Sequence, residues 1–463
     1  MLFSSLIFLS IFLPLVMMVY FIVKKELRNY VLLVASLIFY AWGEPRYLAL
    51  ILFAIILNYS FGIAVETFKY KKSILTVAIF TNLLILIYFK YFNFVVDNIN
   101  KLGLLEISYI NVIMPIGISF LIFHSLSYII DIYRKEVKAQ KNIYNLALYI
   151  TFFSHLIAGP IIRYHDIQRE IEEREDTIEN IFYGLKRFSF GLAKKIILAN
   201  TLGQVSDKIF SLNVDIIDYK IAWLGAICYA FQLYFDFSGY SDMAIGLSRV
   251  FGFHFLENFN YPYISKSITE FWRRWHISLG NWFREYLYIP LGGNKKSLKR
   301  TYINLFIVFL TTGIWHGANW NFVVWGLWHG VFIILERIYR IENYKKNYQI
   351  IMRHIYTLFI VLIGWVLFRT DSLGKAINYL KVMFGFKINE IVGYNVWYYL
   401  DNKVFLSLII ALIVSTGIFK FMLKECNVKL YSILINVLSI GLIIISMMMI
   451  SSSTYNPFIY FRF

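Results

Sequence analysis

Long apolar runs alternate along the chain with short polar connections, most of which are basic. Several runs approach the roughly 20 residues that an α-helix needs to cross a bilayer. The pattern therefore predicts an all-α polytopic membrane protein with roughly eleven transmembrane helices. A transmembrane β-barrel is not expected, because the apolar runs are continuous and do not alternate with polar residues. The runs cover residues 2–23, 31–42, 48–64, 74–91, 110–133, 144–162, 221–235, 302–314, 322–338, 351–368, 406–423 and 433–451.

Basic residues orient the first five predicted helices. Lys and Arg follow the first, third and fifth runs, at residues 24–28, 69–72 and 134–141. The positive-inside rule puts these connections in the cytoplasm and the N-terminus outside. The first run has no basic segment before it and no small-residue cleavage site, so we expect a helix there and not a removed signal peptide.

The alternation of cytoplasmic and external connections does not continue at residues 144–162. The next stretch, 163–175, contains both charge signs and is typical of a cytoplasmic loop, whereas strict alternation would put it outside. A re-entrant segment bent at Gly159 and Pro160 would remove the conflict, and the sequence does not decide between the two. Residues 182–200 similarly either span the membrane or lie at its interface.

Hydropathy is interrupted from residue 236 to residue 299, where short apolar pieces alternate with Asp, Asn, Arg, His and Gly. Such backbone occurs at membrane depth only where it is buried in protein or lines a cavity. We therefore expect broken or re-entrant helices here, and a reaction centre within residues 271–330. A single membrane domain, 1–463, is predicted, with its catalytic core at roughly 115–335.

The composition supports a membrane protein and argues against several other classes of protein. The chain of 463 residues is 59% hydrophobic, above the roughly 45–50% of soluble domains. Its net charge of +17 is explained by cytoplasmic loops and anionic lipid headgroups, so no nucleic-acid partner is expected. Cys228 and Cys426 are isolated, which excludes a disulfide framework or a cysteine-rich metal site.

Common hydrolase, ATPase and protease motifs are missing from the sequence. GYSDM at 239–243 is not a GxSxG nucleophile elbow, and GGNKKS at 292–297 lacks the spacing of a phosphate loop. There is no HExxH, so no metal is expected.

His316 lies in GIWHGANW, between glycines that permit close backbone approach and beside Trp315. An imidazole with a pKa near neutrality can take a proton from an attacking hydroxyl. The alternative is a core histidine bonded to a carbonyl, and the residues alone leave both open. Asn319, in the same motif, is a supporting candidate.

His276 lies in FWRRWHISLGNW. If this stretch is helical, Trp272, Arg273 and His276 fall on one side. Arg273, Arg274 and Arg284 form a possible grip for phosphate or carboxylate, or else belong to a cytoplasmic basic loop.

Asp236 and Asp242 are predicted at the end of a span. They would orient a histidine, bind a cation, or pair with nearby arginines, and the last is favoured. His329, in GLWHG, is expected to be structural.

Long motifs of this chain resemble the membrane-bound O-acyltransferase (MBOAT) family, and within it the bacterial polysaccharide O-acetyltransferases. The resemblance covers nearly the whole chain, and it departs slightly at Arg462, where Gln is more usual. The motifs are AWGEPRY, PIGISFLIFHSLSYIIDIYR, SHLIAGPIIR, QLYFDFSGYSDMAIGLSRVFGF, ENFNYPYISKSITEFWRRWHISLGNWFREYLYIPLGGN, TGIWHGANWNFVVWGLWHG, WVLFR and NPFIYFRF.

The resemblance implies a ring of helices around a central tunnel, in a bacterial cytoplasmic membrane. It places the family's invariant histidine at His316 and its second histidine at His276. An acetyl group would pass from acetyl-CoA or another acyl thioester, without a bound cofactor, to an extracytoplasmic polysaccharide acceptor. A separate acetylesterase-like partner of the SGNH type would finish the transfer. D-alanyl transfer to teichoic acid, or transport without chemistry, are the alternatives.

Overall fold

The computed structural model describes residues 1–103, 106–108, 110–344, 346–387, 393–418 and 428–459. These residues contain helices and no β-strand, apart from an isolated bridge between Phe259 and Trp275. The α-helices α1 to α20 are, in chain order, Leu13–Ile22, Arg28–Gly43, Leu48–Thr67, Lys71–Lys101, Ile118–Arg134, Ile143–Thr151, Phe153–Leu156, Tyr164–Glu172, Ile178–Ala193, Asn200–Ser211, Tyr219–Val250, Ile268–Arg274, Ile277–Phe283, Leu298–His316, Trp320–Tyr339, Asn347–Arg369, Leu373–Met383, Val396–Tyr399, Asn402–Thr416 and Val428–Ser452.

Five of the described helices are long and apolar enough to cross a membrane, which confirms an all-helical, multi-pass membrane protein. The total of about eleven spans stays a prediction. The five are Pro45–Thr67, Lys71–Lys101, Trp320–Ile338, Asn347–Arg369 and Ser432–Ser452.

The chain forms two compact units. The first contains Met1–Phe188 and Tyr240–Leu256, and the second contains Ser189–Gly239 and the described residues from Glu257 onward. Helices α9 and α11 contribute residues to both. The prediction of one domain with its core at 115–335 is not tested by this division.

The first unit has an aromatic core. Phe3, Phe8, Phe39 and Phe153 are fully buried, with ring centroids as close as 5.0 Å between Phe3 and Phe8. Edge-to-face and tilted ring contacts of this kind stabilise a core beyond the area that they bury. The unit therefore has a packed interior of its own.

Helix α11 corrects the predicted end of a span at residue 235. It continues for 32 residues to Val250, so Asp236 and Asp242 lie within the helix and not at its end. Hydropathy counts each aspartate as an interruption. The helix continues because Lys195 lies 2.6 Å from Asp236 and Arg187 lies 2.6 Å from Asp242, which compensates both charges.

Residues 144–162 form no single span. Helix α6 stops at Phe152, whose ψ of 119° is not helical, and α7 ends at Leu156. Residues 157–163, including the predicted bend at Gly159 and Pro160, are not helical. The break comes earlier than the Gly-Pro pair predicts, and the re-entrant interpretation stays a prediction.

Other observed helix boundaries also differ from the predicted ones. The predicted span 110–133 is helical only from Ile118, because Pro115 and Gly117 (φ +76°) precede the helix. Residues 182–200 belong to one helical stretch that runs from α9 through a π-turn, Lys194–Ala199, into α10. Helix α17 was not predicted.

The predicted span 406–423 and the predicted loop 385–403 lie partly outside the described residues. Cys426, Arg462 and the end of the NPFIYFRF motif also lie outside them.

Two helices of the second unit approach each other at glycines. A Cβ on Gly313 of α14 would lie 2.4 Å from the carbonyl oxygen of Phe322, and a Cβ on Gly326 of α15 would lie 2.4 Å from that of Phe309. Small residues at such crossings let membrane helices pack backbone to backbone. The predicted close approach around His316 is therefore present, and it fixes where α14 ends.

We expect Gly326→Ala to destabilise the protein by about 1–3 kcal/mol, because the added methyl overpacks the α14–α15 contact. Gly441→Ala is the matched control, since no atom lies within 4 Å of a Cβ at that helical position. Thermal unfolding of the purified protein in detergent, followed by tryptophan fluorescence, measures the difference. Equal melting temperatures for the two variants would contradict the overpacking argument.

Candidate active site

An open cavity of about 990 Å³ lies in the second unit, between the broken helices α12 and α13 and the pair α14 and α15. Its walls are mainly apolar, and His276 is among the lining residues. Arg273, Arg284, Lys295, Lys296 and Arg337 also line it, and all five are exposed. An apolar cavity with a few convergent polar groups is the usual form of a small-molecule site.

His276 occupies a sharp bend between α12 and α13. Its φ of 48° and ψ of 54° are in the left-handed region, which a non-glycine residue adopts only where the surroundings hold it. Two backbone hydrogen bonds do so: Asn260 N–H donates to the Arg274 carbonyl, and Ile277 N–H donates to the Asn258 carbonyl, each at 2.9 Å. The stretch is therefore not one helix, so the condition for a shared helical face of Trp272, Arg273 and His276 is not met, although all three line the cavity.

Asn258 sets the tautomer of His276. Its side-chain Oδ1 accepts hydrogen bonds from Ser278 N–H at 3.3 Å and Ser278 Oγ at 2.8 Å, which identifies it as the oxygen. The same oxygen lies 3.1 Å from His276 Nδ1. Because a carbonyl oxygen only accepts, Nδ1 carries the proton, and Nε2 is the basic nitrogen of the neutral ring.

His316 is the last residue of α14 and is 4% exposed. Its ring lies 4.8 Å from Trp315, 4.8 Å from Trp325 and 5.3 Å from Phe368, measured between centroids. The ring is therefore enclosed by aromatic side chains at the carboxyl end of α14.

Aromatic rings connect the two histidines. The Trp315 ring lies 6.4 Å from His276 and is adjacent to His316. A second route runs from Trp272, which lines the cavity, to Trp325 at 5.5 Å and then to His316. His316 is not among the cavity-lining residues, so the structure brings His276 to the cavity and places His316 behind a layer of tryptophan.

The predicted arginines separate into two groups. Arg273 and Arg284 line the cavity, whereas Arg274 does not. Arg274 instead donates to Glu270, 2.9–3.0 Å away, and to the Asn260 carbonyl at 3.1 Å. Arg274 therefore lies apart from the cavity, and its alternative role in a cytoplasmic basic loop stays a prediction.

The side chains of Asp236 and Asn319 form hydrogen bonds with backbone groups. Asp236 pairs with Lys195 and accepts a hydrogen bond from the Ile459 N–H at 3.0 Å. Asn319 caps α15 by accepting from the Asn321 N–H at 3.1 Å and donates to the Asp371 carbonyl at 2.9 Å. Within the described residues, Asp236 pairs with a lysine and not with an arginine as favoured, whereas Asp242 pairs with Arg187.

The sequence does not single out Asn258, because its 18-residue separation from His276 gives no signal of contact. The structural role expected for His329 stays a prediction. Its ring lies 5.0 Å from Trp272 and 5.2 Å from Trp325. A Cβ on Gly364 would lie 2.6 Å from its Nε2, so α16 packs directly against it.

One group of described side chains has the composition of a metal site. Ligand atoms of Asp131, Glu136 and His165 all lie within 4.8 Å of one another, in the first unit. His165 Nδ1 is 2.8 Å from Asp131 Oδ2, and this hydrogen bond raises the pKa of His165 above its ordinary value. A metal ion would have to displace that proton, so the group is arranged as an ion pair.

Comparison with known proteins identifies the family. Residues 38–368 match the model of the membrane-bound O-acyltransferase family. The chain belongs to that family. It is therefore a membrane-bound acyltransferase, as the motifs predicted.

Curated bacterial relatives extend the match. "Probable alginate O-acetylase AlgI" of Pseudomonas putida is 45% identical over 395 residues, covering 83% of this chain and 81% of the relative. "Peptidoglycan O-acetyltransferase" of Helicobacter pylori is 34% identical, over 83% of this chain and 80% of the relative. "Teichoic acid D-alanyltransferase" of Bacillus subtilis is 31% identical, over 52% of this chain and 62% of the relative.

We expect Asn258→Leu to lower the rate of acyl transfer by up to about 10²-fold, because His276 loses the acceptor that fixes its tautomer and orientation. Ser278→Ala is the control: it removes another donor to the same Asn258 oxygen and leaves the His276 contact in place. The rate is measured per mole of folded protein in membranes. Equal losses in both variants would indicate a packing role for Asn258 and not a role through His276.

Proposed function

We propose that this chain transfers an acetyl group from a cytoplasmic acyl thioester towards hydroxyl groups of an extracytoplasmic polysaccharide. The observation that carries the proposal is the pair of buried histidines joined by Trp315 behind a cavity with a basic rim. Similarity to relatives named for O-acetylation of alginate and peptidoglycan, over 83% of the chain, supports the reaction and the class of acceptor.

The distribution of charge supports a cytoplasmic mouth for the cavity. Lys295, Lys296, Lys299 and Arg300 precede or begin α14, and Arg337 lies at the end of α15. The positive-inside rule puts these two helix ends on the cytoplasmic side. His316 is at the other end of α14, and 19 residues of helix extend roughly 28 Å. This supports a path across the membrane, with the predicted ring of about eleven helices around it.

Acetyl-CoA is the donor that this cavity suits. Its volume of about 990 Å³ is at the upper end of the roughly 300–1,000 Å³ of ligand sites. The five cations at its rim offer charge-assisted contacts to the phosphates of coenzyme A. The mainly apolar interior would receive the thioester arm and point it towards His276. Another acyl thioester with an anionic handle is the alternative.

His316 acts as the general base in this proposal. It takes the proton from the acceptor hydroxyl as that oxygen attacks the thioester carbonyl, so the new C–O bond forms and the C–S bond breaks. The surrounding rings exclude water, which would otherwise compete as acceptor. His316 afterwards releases that proton to water on the extracytoplasmic side.

His276 supplies the second proton. Two roles follow from the family resemblance, polarising the carbonyl or assisting this proton. In the tautomer set by Asn258, Nε2 has no proton with which to polarise a carbonyl. This supports the second role: Nε2 takes a proton from water in the open cavity and donates it to the leaving thiolate. The Trp315 side chain lies between the imidazole rings of His276 and His316 and packs against both.

The remaining assignments follow from these. We place the catalytic core in residues of roughly 115–335 within one domain, with Arg337 at its edge, and Arg274, Asp236 and Asn319 as supports. An acetylesterase-like partner of the SGNH type, which the family resemblance implies, receives the acetyl group on its own hydroxyl and finishes the transfer to the polysaccharide. D-alanyl transfer is less well supported, because likeness to that relative covers only 52% of this chain.

We expect His316→Ala to abolish O-acetylation of surface polysaccharide, since no other group at that position can accept the proton. His254→Ala is the control, because His254 is exposed and paired with Glu170 at 2.7 Å in the first unit. Mass spectrometry of the polysaccharide measures the acetyl mass difference and distinguishes it from D-alanine. Wild-type acetylation at equal membrane abundance of His316→Ala would refute the assignment.

We expect the double variant Lys295→Gln, Lys296→Gln to raise KM for acetyl-CoA about fivefold to tenfold with kcat unchanged, because the exposed lysines contribute binding and not chemistry. Added salt should raise KM of the unmodified protein in the same direction. Lys375→Gln, at an exposed ion pair with Asp371, is the matched control. The donor assignment fails if acetyl-CoA kinetics are the same in all three proteins.

A further inference from the structure

Helix α12 forms one wall of the cavity proposed for the acyl donor, and it is too short to be stable alone. It has seven residues, Ile268–Arg274. An isolated helix shorter than about 12–15 residues is marginal in water, so α12 depends on contacts with its neighbours. Two of its side chains, Trp272 and Arg273, line the cavity. The shape of this wall is therefore decided by whatever holds α12 in place.

Glu336, near the end of α15, accepts the hydrogen bonds that the start of α12 offers. The Ile268 N–H donates to Glu336 Oε1 at 2.5 Å, and the Thr269 N–H donates to Oε2 at 3.0 Å. The Thr269 hydroxyl also donates to Oε2, at 2.9 Å. The first N–H groups of a helix have no acceptor within that helix. The Glu336 carboxylate supplies this missing acceptor from a neighbouring helix.

Helix α16 holds the residues that immediately precede α12. Arg353 Nε donates to the Lys266 carbonyl at 3.1 Å. His354 Nδ1 donates to the Ser265 carbonyl at 2.9 Å, since a carbonyl can only accept. Arg353 also attracts the Glu336 carboxylate electrostatically, which offsets part of the cost of burying that charge. The amino end of α12 is thus attached to both α15 and α16.

The other end of α12 packs against the same helix α15. The Trp272 ring lies 5.0 Å from the His329 ring and 5.5 Å from the Trp325 ring, measured between centroids. His329 and Glu336 are about two helical turns apart and therefore share a face of α15. Aromatic packing at one end of α12 and hydrogen bonds at the other together set its orientation.

The position of Glu336 argues against a direct part in the chemistry. The residue is 5% exposed and does not line the cavity, whereas Ile333 and Arg337 beside it do. Both of its carboxylate oxygens accept hydrogen bonds from α12. Any effect of Glu336 on the reaction must therefore pass through that helix.

We infer that Glu336 is a positioning residue for the acyl donor, because it fixes α12 with Trp272 and Arg273 towards the cavity. The inference rests on the proposed function and names the residue that arranges its donor site. His276 is held separately, by Asn258 and by the backbone hydrogen bonds on either side of its bend. Glu336 therefore governs donor binding more than proton transfer.

Hydrogen exchange of the full chain in lipid nanodiscs tests the attachment itself. Glu336→Ala should accelerate exchange of the amides at 268 and 269 at least tenfold, because both lose their acceptor. Glu336→Gln keeps one acceptor oxygen and should give an intermediate rate. Glu179→Ala, at an exposed glutamate of the first unit, is the control. Unchanged exchange in Glu336→Ala would overturn the inference, whatever the donor is.

Steady-state kinetics test the consequence for the donor. Glu336→Ala should raise KM for acetyl-CoA about tenfold and leave kcat within about twofold, a split that general loss of folded protein does not produce. Glu336→Gln should recover part of the affinity. Thr269→Val removes only the hydroxyl contact and should raise KM about twofold, which keeps the test decisive if Glu336→Ala does not fold. A fall in kcat at unchanged KM would contradict the positioning role.

A double-mutant cycle shows whether Glu336 acts through Arg273. Titration calorimetry with coenzyme A should show about fivefold weaker binding for Arg273→Gln in the unmodified protein. The same change should cost less than about twofold in Glu336→Ala, because the arginine is already displaced. Additive losses would overturn the inference. The proposed function fails by other results, namely acetylation that does not depend on His316 or absence of coenzyme A binding to the unmodified protein.

Discussion

Polar groups surrounded by hydrocarbon must find their partners within the protein, and this constraint organises the second unit. The cost of burying an uncompensated charge is several kcal/mol, so Asp236 is matched by Lys195 inside helix α11. The same pair also holds the backbone at Pro457 and Ile459. A single compensated charge thus determines where a helix continues and where a distant segment of chain is fixed.

The same constraint applies to the two histidines. His276 donates a hydrogen bond from Nδ1 to the side-chain oxygen of Asn258, which can only accept. Nε2 is therefore the basic nitrogen of that ring. His316 is enclosed by aromatic rings at the end of a helix. Two chemically identical side chains therefore have different surroundings, one a hydrogen-bond acceptor and the other a set of aromatic rings.

Glycine contacts complete this arrangement. Gly313 and Gly326 allow α14 and α15 to meet at backbone distance, which brings Trp325 against His316. Cationic side chains lie at one end of these helices and His316 lies at the other, so the two ends differ in chemistry. In the proposed function, a layer of tryptophan separates the donor cavity from the proton transfer at His316.

The sequence by itself determined the membrane class, the helical fold, the family and the two histidine motifs, because long apolar runs and extended motifs are local signals. It missed the continuation of α11 past Asp236, since hydropathy cannot detect that a lysine 41 residues earlier compensates the charge. It left open whether Trp272, Arg273 and His276 share one helix, and the structure shows that a left-handed bend separates His276 from that helix. Only the tertiary structure selected Arg273 and Arg284 over Arg274 for the cavity and assigned the tautomer of His276. Each of these depends on residues far apart in the chain, whose contact no local pattern records.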